Sequence, residues 1–458
     1  TPHPEVIEIL IKAGCKVTDL GSQSLLQATY NPNPAVLAAV LRYKPDLKAE
    51  AYALGSALSI LASDEPAVFR KEHFRLLLEA GADPNGASGP RGKTPLQQAA
   101  FYRNIDAARM LLDAGANPAL TGRTRESALD IAVGREAYDL AMLLLEAGGL
   151  TNDGRGALYA LARNTTTDIA LTRKLVVAVG AESEAAADAV ADSVRHGNTA
   201  TVRTLLDAGA RGPDTVTTMN AALFAAVTEH PNNARAPRDK PEIVALLLER
   251  GANPGARFSA SDFGPEEVRR RWSSRFGNVW GAVEASVLHM AASHGLTQTV
   301  ALLLAAGAPA DATDRRGQTP LYWASSYGSL SEDAYNRGRP ERLAACADAA
   351  ALLLKAGADP LREEKNGWSP LLAGLSNPQL TALFLKAPRV KAGVNAVTGS
   401  AWSPLTYAAS HERLAESIPP LLAAGANPKK PDATGGLPLF IALENKNGKA
   451  AAYLTAVP

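Results

Sequence analysis

Cysteine is nearly absent. Cys15 and Cys346 are the two in 458 residues, too few and too far apart for a disulfide framework, and neither belongs to a paired motif that would suggest a zinc site. Net charge is nearly absent too: 47 Lys and Arg face 46 Asp and Glu, interspersed, for a formal +1. That balance removes any global attraction for nucleic acid or anionic lipid. No apolar run approaches the ~20 residues of a membrane span, and no Gly-x-Ser-x-Gly elbow occurs. His289 and His294 form the closest histidine pair, but five apart and with no carboxylate after the first, so they do not spell a zinc helix. The stretch ASGPRGKT at 87–94 places Lys93 and Thr94 as a phosphate loop would. It has Ala87 for the first glycine, a helix rather than a strand before it and Pro95 after it, which argue against a nucleotide site.

What the chain has in abundance is one phrase. LLLEAGADPN at 76–85 returns as LLDAGANP (111–118), LLLERGANP (246–254), LLLKAGADP (352–360) and LLAAGANP (421–428). The leucines read as a buried helical segment, the glycine as the left-handed residue that ends it, and Asp/Asn-Pro as a turn that forbids continuation. About fourteen residues on comes a second phrase: TPLQQAA (94–100), TPLYWAS (319–325), SPLTYAA (403–409). Thr or Ser caps the next helix, Pro takes its first position, and Leu opens its apolar face. Each unit is thus helix, turn, helix, glycine stop, loop. The stop glycines Gly81, Gly115, Gly148, Gly180 and Gly209 are 34, 33, 32 and 29 residues apart. A period near 33 marks a solenoid of stacked repeats. Two stops are eroded: AVLRYKPDL has Lys44 in the glycine slot, and LFLKAPRVKAGVN (383–395) lacks the compact stop.

Thr-Pro-Leu-His-x-Ala-Ala, a leucine-rich second helix and Gly-Ala-Asp, repeated in register, resemble the ankyrin repeat family. The resemblance implies an all-α ankyrin solenoid of about 13 helix-turn-helix units with short finger loops, one array over 1–458, and a non-enzymatic role. It also implies a protein partner held on a concave face of fingers and first helices, with no nucleic acid, cofactor or metal. In the family the histidine braces adjacent repeats. Only SVLHMAA keeps it, as His289; Gln97, Asp130, Tyr159, Tyr322, Leu372, Thr406 or Phe440 stand in the slot elsewhere, so the brace is expected to have been replaced repeatedly.

The array departs from itself in three consecutive repeats. Insertions fall at 228–241 and 328–347, between the two helices of a repeat, and at 256–285, in a finger loop. The last stretches a connection of ~14 residues to ~37 for only ~0.9 kcal/mol in closure entropy. The fingers after Gly148 and Gly180 are instead cut short. Within the large insertion Pro265, Glu266 and Glu267 can open a helix, and Val268, Trp272 and Phe276 would share one face. That face either docks on the array itself or meets a partner. The candidate partner-binding residues are Arg269, Arg271, Trp272, Arg275, Phe276 and Trp280 of the insertion, with Tyr322, Trp323, Tyr327 and Tyr335 of the next repeat, residue types favoured in interface hot spots.

The opening PEVIEILIKAGC reads as the second helix of a repeat whose first helix is missing, as expected of a trimmed chain. The alanine-rich AGADPN style suggests a bacterial source. A monomeric inhibitor, immunity or adaptor-like protein is the expected role, soluble in the cytoplasm or exported after leader removal. The alternative is a targeting module cut from a longer protein with an enzymatic or membrane domain.

Overall fold

The computed structural model describes residues 4–13, 21–42, 51–87, 92–122, 125–228, 238–258, 284–326 and 340–456. These form two compact units, Thr1–Thr218 and Met219–Pro458, divided within the helix Thr215–Val227. Both are stacks of helix pairs. In the first, the first helices Ala51–Ala62, Pro95–Phe101, Ala128–Gly134, Arg155–Arg163 and Glu184–His196 pack one on the next. In the second the same row runs through Val287–His294, Pro320–Ser326 and Pro370–Gly374, and again through Pro404–Ser410 and Pro438–Glu444.

The stop phrase forms a Schellman turn. Gly81 sits at φ 88°; its N–H reaches the Leu78 carbonyl and the Ala82 N–H the Leu77 carbonyl, both at 3.0 Å. A Cβ on Gly81 would meet nothing within 4 Å, so backbone conformation alone demands the glycine. The Asp-Pro that follows is an Asx turn, the Asp83 carboxylate accepting the Asn85 N–H at 2.8 Å. The start phrase is a capping box. Thr94 Oγ1 accepts the Gln97 N–H at 3.2 Å, and Gln97 Oε1 accepts the Thr94 N–H at 2.8 Å.

The histidine slot explains how the brace survives substitution. His289 Nδ1 accepts the Ser286 N–H at 3.1 Å, leaving Nε2–H to donate to the Gln318 carbonyl at 3.0 Å. Gln97 does both jobs with its amide: Nε2 donates to the Glu126 carbonyl at 2.6 Å, the same 29 residues ahead. Asp130 keeps only the cap, accepting the Ser127 N–H at 2.8 Å. Its carboxyl lies against Gly156 of the next repeat, where a Cβ would stand 2.7 Å from it.

The departures have physical counterparts. At the large insertion, β1 (Arg257–Phe258) and β2 (Ala285–Ser286) pair antiparallel, Arg257 opposite Ser286 and Phe258 opposite Ala285. Phe258 packs on Phe224 at 4.4 Å between ring centroids. This two-residue ladder is the single sheet among the described residues of the otherwise all-α fold. The second helix after the 328–347 insertion, Pro340–Lys355, has 16 residues against 9 in Thr297–Ala305, so part of that excess lengthens a helix. After the shortened fingers the first helices grow instead, to 9 residues at Arg155–Arg163 and 13 at Glu184–His196 against 7 at Pro95–Phe101. The eroded stop near 387 is replaced by the short helix Pro388–Gly393, which buries Val390, with Val394 buried just beyond its end. Lys44, Cys15 and the PEVIEILIKAGC glycine lie outside the described residues.

Candidate protein-binding face

In the second unit the fingers and the ends of the first helices form one connected surface. Three of the fingers turn around an acceptor side chain. Asp314 accepts the N–H groups of Arg316 and Gln318 at 2.8 and 2.9 Å. Glu364 accepts those of Asn366 and Trp368 at 2.8 and 3.3 Å. Asp432 accepts those of Thr434 and Gly436 at 2.8 and 2.9 Å. Neighbouring fingers are tied through the backbone, Lys365 N–H to the Arg316 carbonyl at 2.9 Å and Ala433 N–H to the Ala401 carbonyl at 3.1 Å. Glu363 accepts the Gly399 N–H at 2.9 Å. Gly367 is needed for this approach: a Cβ there would stand 2.1 Å from the Ser400 nitrogen. These carboxylates are engaged as structural acceptors rather than presented for proton transfer.

The fingers deliver tryptophans to the helix starts. Ser403 caps Pro404–Ser410, with Trp402 just before the cap and Tyr407 at the fourth helical position. That is the hydrophobic-staple arrangement, and the two rings lie 6.1 Å apart. Trp368 occupies the equivalent place before the Ser369 cap. Its own helix offers Ala373 at the fourth position, so its ring packs edge-on against Tyr407 of the next repeat at 4.9 Å. Tyr407 is therefore gripped from two repeats at once, and His411 adds a further ring at 5.0 Å. Trp368, Trp402 and Tyr407 are half-buried and His411 is exposed. Each large ring keeps part of its area available to a partner while its position is fixed.

Tyr322 and Trp323, expected from the sequence to face a partner, are buried. Trp323 donates its indole N–H to Asp314 at 3.1 Å and packs edge-on against His289 at 5.3 Å. Burial, then the neighbouring Glu364, Tyr407 and Asp314, push the Tyr322 hydroxyl up to about 12. Tyr322 thus lies behind the aromatic cluster rather than on its exposed side. Arg269, Arg271, Trp272, Arg275, Phe276, Trp280, Tyr327 and Tyr335 lie outside the described residues.

Trp368, Trp402, Tyr407 and His411 were not singled out from the sequence. The signal was present: NGWSPLL and SAWSPLTY repeat a tryptophan immediately before the cap. An aromatic four residues past that cap is a local rule that could have been applied.

Cys346 is buried in Pro340–Lys355, and burial raises its thiol to about 11. Among the described residues no three His, Cys, Asp or Glu side chains group to hold a metal ion. Nor is any helix there long and apolar enough to cross a membrane.

The repeat geometry agrees with comparison to known proteins. The family models described as "Ankyrin repeats (3 copies)" and "Ankyrin repeats (many copies)" match residues 62–153 and 288–331. The chain is an ankyrin repeat protein, and such repeats make it a protein-binding scaffold. Among curated proteins it is similar to the E3 ubiquitin-protein ligase KEG of Arabidopsis thaliana, 30% identical over 165 residues, which is 34% of this chain and 10% of that protein. It is also similar to the human neurogenic locus notch homolog protein 4, 36% identical over 103 residues, 21% of this chain and 5% of that one. The matched stretches are thus small parts of those relatives.

Proposed function

We propose that this chain is a non-enzymatic ankyrin protein that holds a protein partner against its first helices and fingers, in an inhibitor or adaptor-like role. The observation that carries the reading is the grip on Tyr407 by Trp368 and Trp402. Large, rigid, half-exposed rings of Trp and Tyr are the side chains most often found to dominate binding energy at interfaces. Here capping serines and a staple position them before any partner arrives, which lowers the ordering cost of binding. The finger carboxylates are already spent on backbone N–H groups, which leaves recognition rather than acid–base chemistry as the work of this face.

The test is capture of partners from native lysate by the wild type and by Trp402→Ala. Loss of a captured band, with the thermal transition moved by only a few degrees, supports the reading. Retention of every band in Trp402→Ala and Trp368→Ala overturns it.

A second reading, a recognition module carried by a longer polypeptide, is supported by the plant and human relatives, in which the similar stretch is 10% and 5% of the whole. The bacterial source suggested by the composition rests on the sequence alone.

A further inference from the structure

The first unit carries a second, chemically different face, independent of the aromatic cluster. Phe101, half-buried at the end of Pro95–Phe101, is approached by two cations. Lys93 Nζ comes from the finger side and Arg135 Cζ from the end of the next first helix, each 4.4 Å from the ring centroid. Arg135 is held there by Nε–H donation to the Phe101 carbonyl at 3.1 Å. One repeat further, exposed Tyr159 lies under Arg163, whose Cζ is 5.3 Å from its centroid and whose Nη1 donates to its hydroxyl at 3.1 Å. Tyr102 sits edge-on to Phe101 at 5.2 Å and is exposed.

Two more arginines on this unit occupy backbone positions that resist side chains. Arg103 has φ 59° in the turn between helices, where Gly197 and Gly295 stand in other repeats at 75° and 67°. Arg125 has φ 60° in the finger before the Ser127 cap. A non-glycine residue there costs on the order of 1 kcal/mol, a cost that Glu136 and Lys446 also meet in the turn slot of Arg103. Other arginines of the unit are paired. Arg75 pairs with Glu72 and Glu79, Arg155 with Glu184 and Asp188, and Arg211 with Glu182. Among the described residues no carboxylate lies within ion-pair distance of Arg103, Arg125, Arg135 or Arg163. Glu126 is exposed beside Arg125, Asp130 is buried under the first turn of its helix, and Glu136, next to Arg135, is engaged by the Thr165 and Thr166 hydroxyls at 2.8 Å.

We propose that this face binds an extended acidic segment of a protein, its carboxylates meeting Lys93, Arg125, Arg135 and Arg163 and its apolar side chains lying on Phe101, Tyr102 and Tyr159. Arginine forks match carboxylates, and arginines already stacked on aromatic rings lose little freedom on binding. Three repeats at ~10 Å per packed helix span ~20 Å, the length of about six or seven extended residues. A polyphosphate fits less well, because it has no apolar groups to lie on Phe101, Tyr102 and Tyr159.

The probe is a fluorescent 16-residue peptide of mixed Glu, Asp and Leu, titrated into the full chain and compared with a Lys-containing peptide of equal length and a single-stranded oligonucleotide. The acidic peptide should bind, weaken steeply with added salt, and lose about tenfold or more in affinity in Arg135→Glu. Arg163→Glu should act likewise, and Lys93→Gln less. Circular dichroism melts identify a variant that has unfolded, in which case Arg135→Gln and Arg163→Gln are read instead. Equal binding of the acidic and basic peptides, preferential binding of the oligonucleotide, or affinity unmoved by charge reversal in folded variants overturns the proposal.

Discussion

The side-chain oxygen of Asn85 accepts the backbone N–H of Asn117, one repeat ahead, at 2.7 Å. The same stitch joins Asn220 to Asn253 at 2.8 Å and Asn395 to Asn427 at 2.6 Å. The Asn395 amide also donates to the Gly425 carbonyl at 2.9 Å, one of the carbonyls left over at a helix end. In each case the N–H that is held belongs to the asparagine before a proline, so these side chains fasten one repeat to the next. Asn395→Ala should cost about 1 kcal/mol in urea denaturation. Asn395→Asp should cost less, because an acceptor oxygen remains, as Asp311 shows by accepting the Asp359 N–H at 3.2 Å. Equal loss in the two variants would show that the stitch does not hold the repeats.

His289 gives the second unit a dependence on pH. Burial holds its imidazole down at about 4, against an ordinary 6.5. The unfolded chain therefore takes up a proton below pH 6.5 that the folded chain takes up only near 4, so this site's stability is intact above 6.5 and lost as pH falls toward 4. The size is on the order of 3 kcal/mol. His289→Gln should keep the brace, as Gln97 does, and flatten stability between pH 6.5 and 4 relative to the wild type. His289→Ala should lose on the order of 2 kcal/mol at neutral pH, where a buried bond to Gln318 is left open. Denaturant midpoints across that window check both.

Asp239 caps a helix that is not its own. The helix Thr297–Ala305 begins after Leu296, which offers no capping side chain. Asn104, Asn198 and Asn447 fill that slot in other repeats. Asp239, at the end of the 228–241 insertion, instead accepts the Gln298 N–H at 2.8 Å, the Thr299 N–H at 3.2 Å and the Thr299 hydroxyl at 2.5 Å. Asp239→Ala should cost ~1–2 kcal/mol, and Asp239→Asn only part of that. Hydrogen exchange at Gln298 and Thr299 should rise first in the alanine variant; protection unchanged there would refute the capping role.

How much of this was legible depends on the range of the interaction. Helix stops at Gly81 and starts at Thr94 are decided within six residues, and the sequence states them outright. The Gln97 brace needed one chemical step, that an amide can both accept and donate as a neutral histidine does, and by that rule Asp130 cannot. The contact of Trp368 with Tyr407 was out of reach, because it depends on how one finger lies over the next helix. So did the capping of Thr299 by Asp239, sixty residues away. Composition drew attention to the richest cluster of arginines and aromatics, at 264–280. The cluster the structure assembles is made of rings scattered singly along the chain.

The large insertion supplies the last test. Its two ends are already side by side: Phe258 pairs with Ala285, Phe258 is packed on Phe224, and Ala285 is buried. Closing the loop at that point needs only a two-residue turn, for which Asn-Gly suits the twist of an antiparallel pair. Replacing 259–284 by Asn-Gly should leave the thermal transition within a few degrees of the wild type, because the ladder and the Phe258 contact are retained. If the insertion is a binding arm, with Arg271 and Trp272 among its anchors, the shortened chain should lose partner capture while Trp272→Ala and Arg271→Ala weaken it, by ~2 kcal/mol or more for a hot-spot residue. Capture that survives the shortening but fails in Trp402→Ala would place recognition on the Trp368, Trp402 and Tyr407 cluster alone. A large drop in melting temperature would mean that 259–284 packs on the array, and would remove the insertion from the list of binding surfaces.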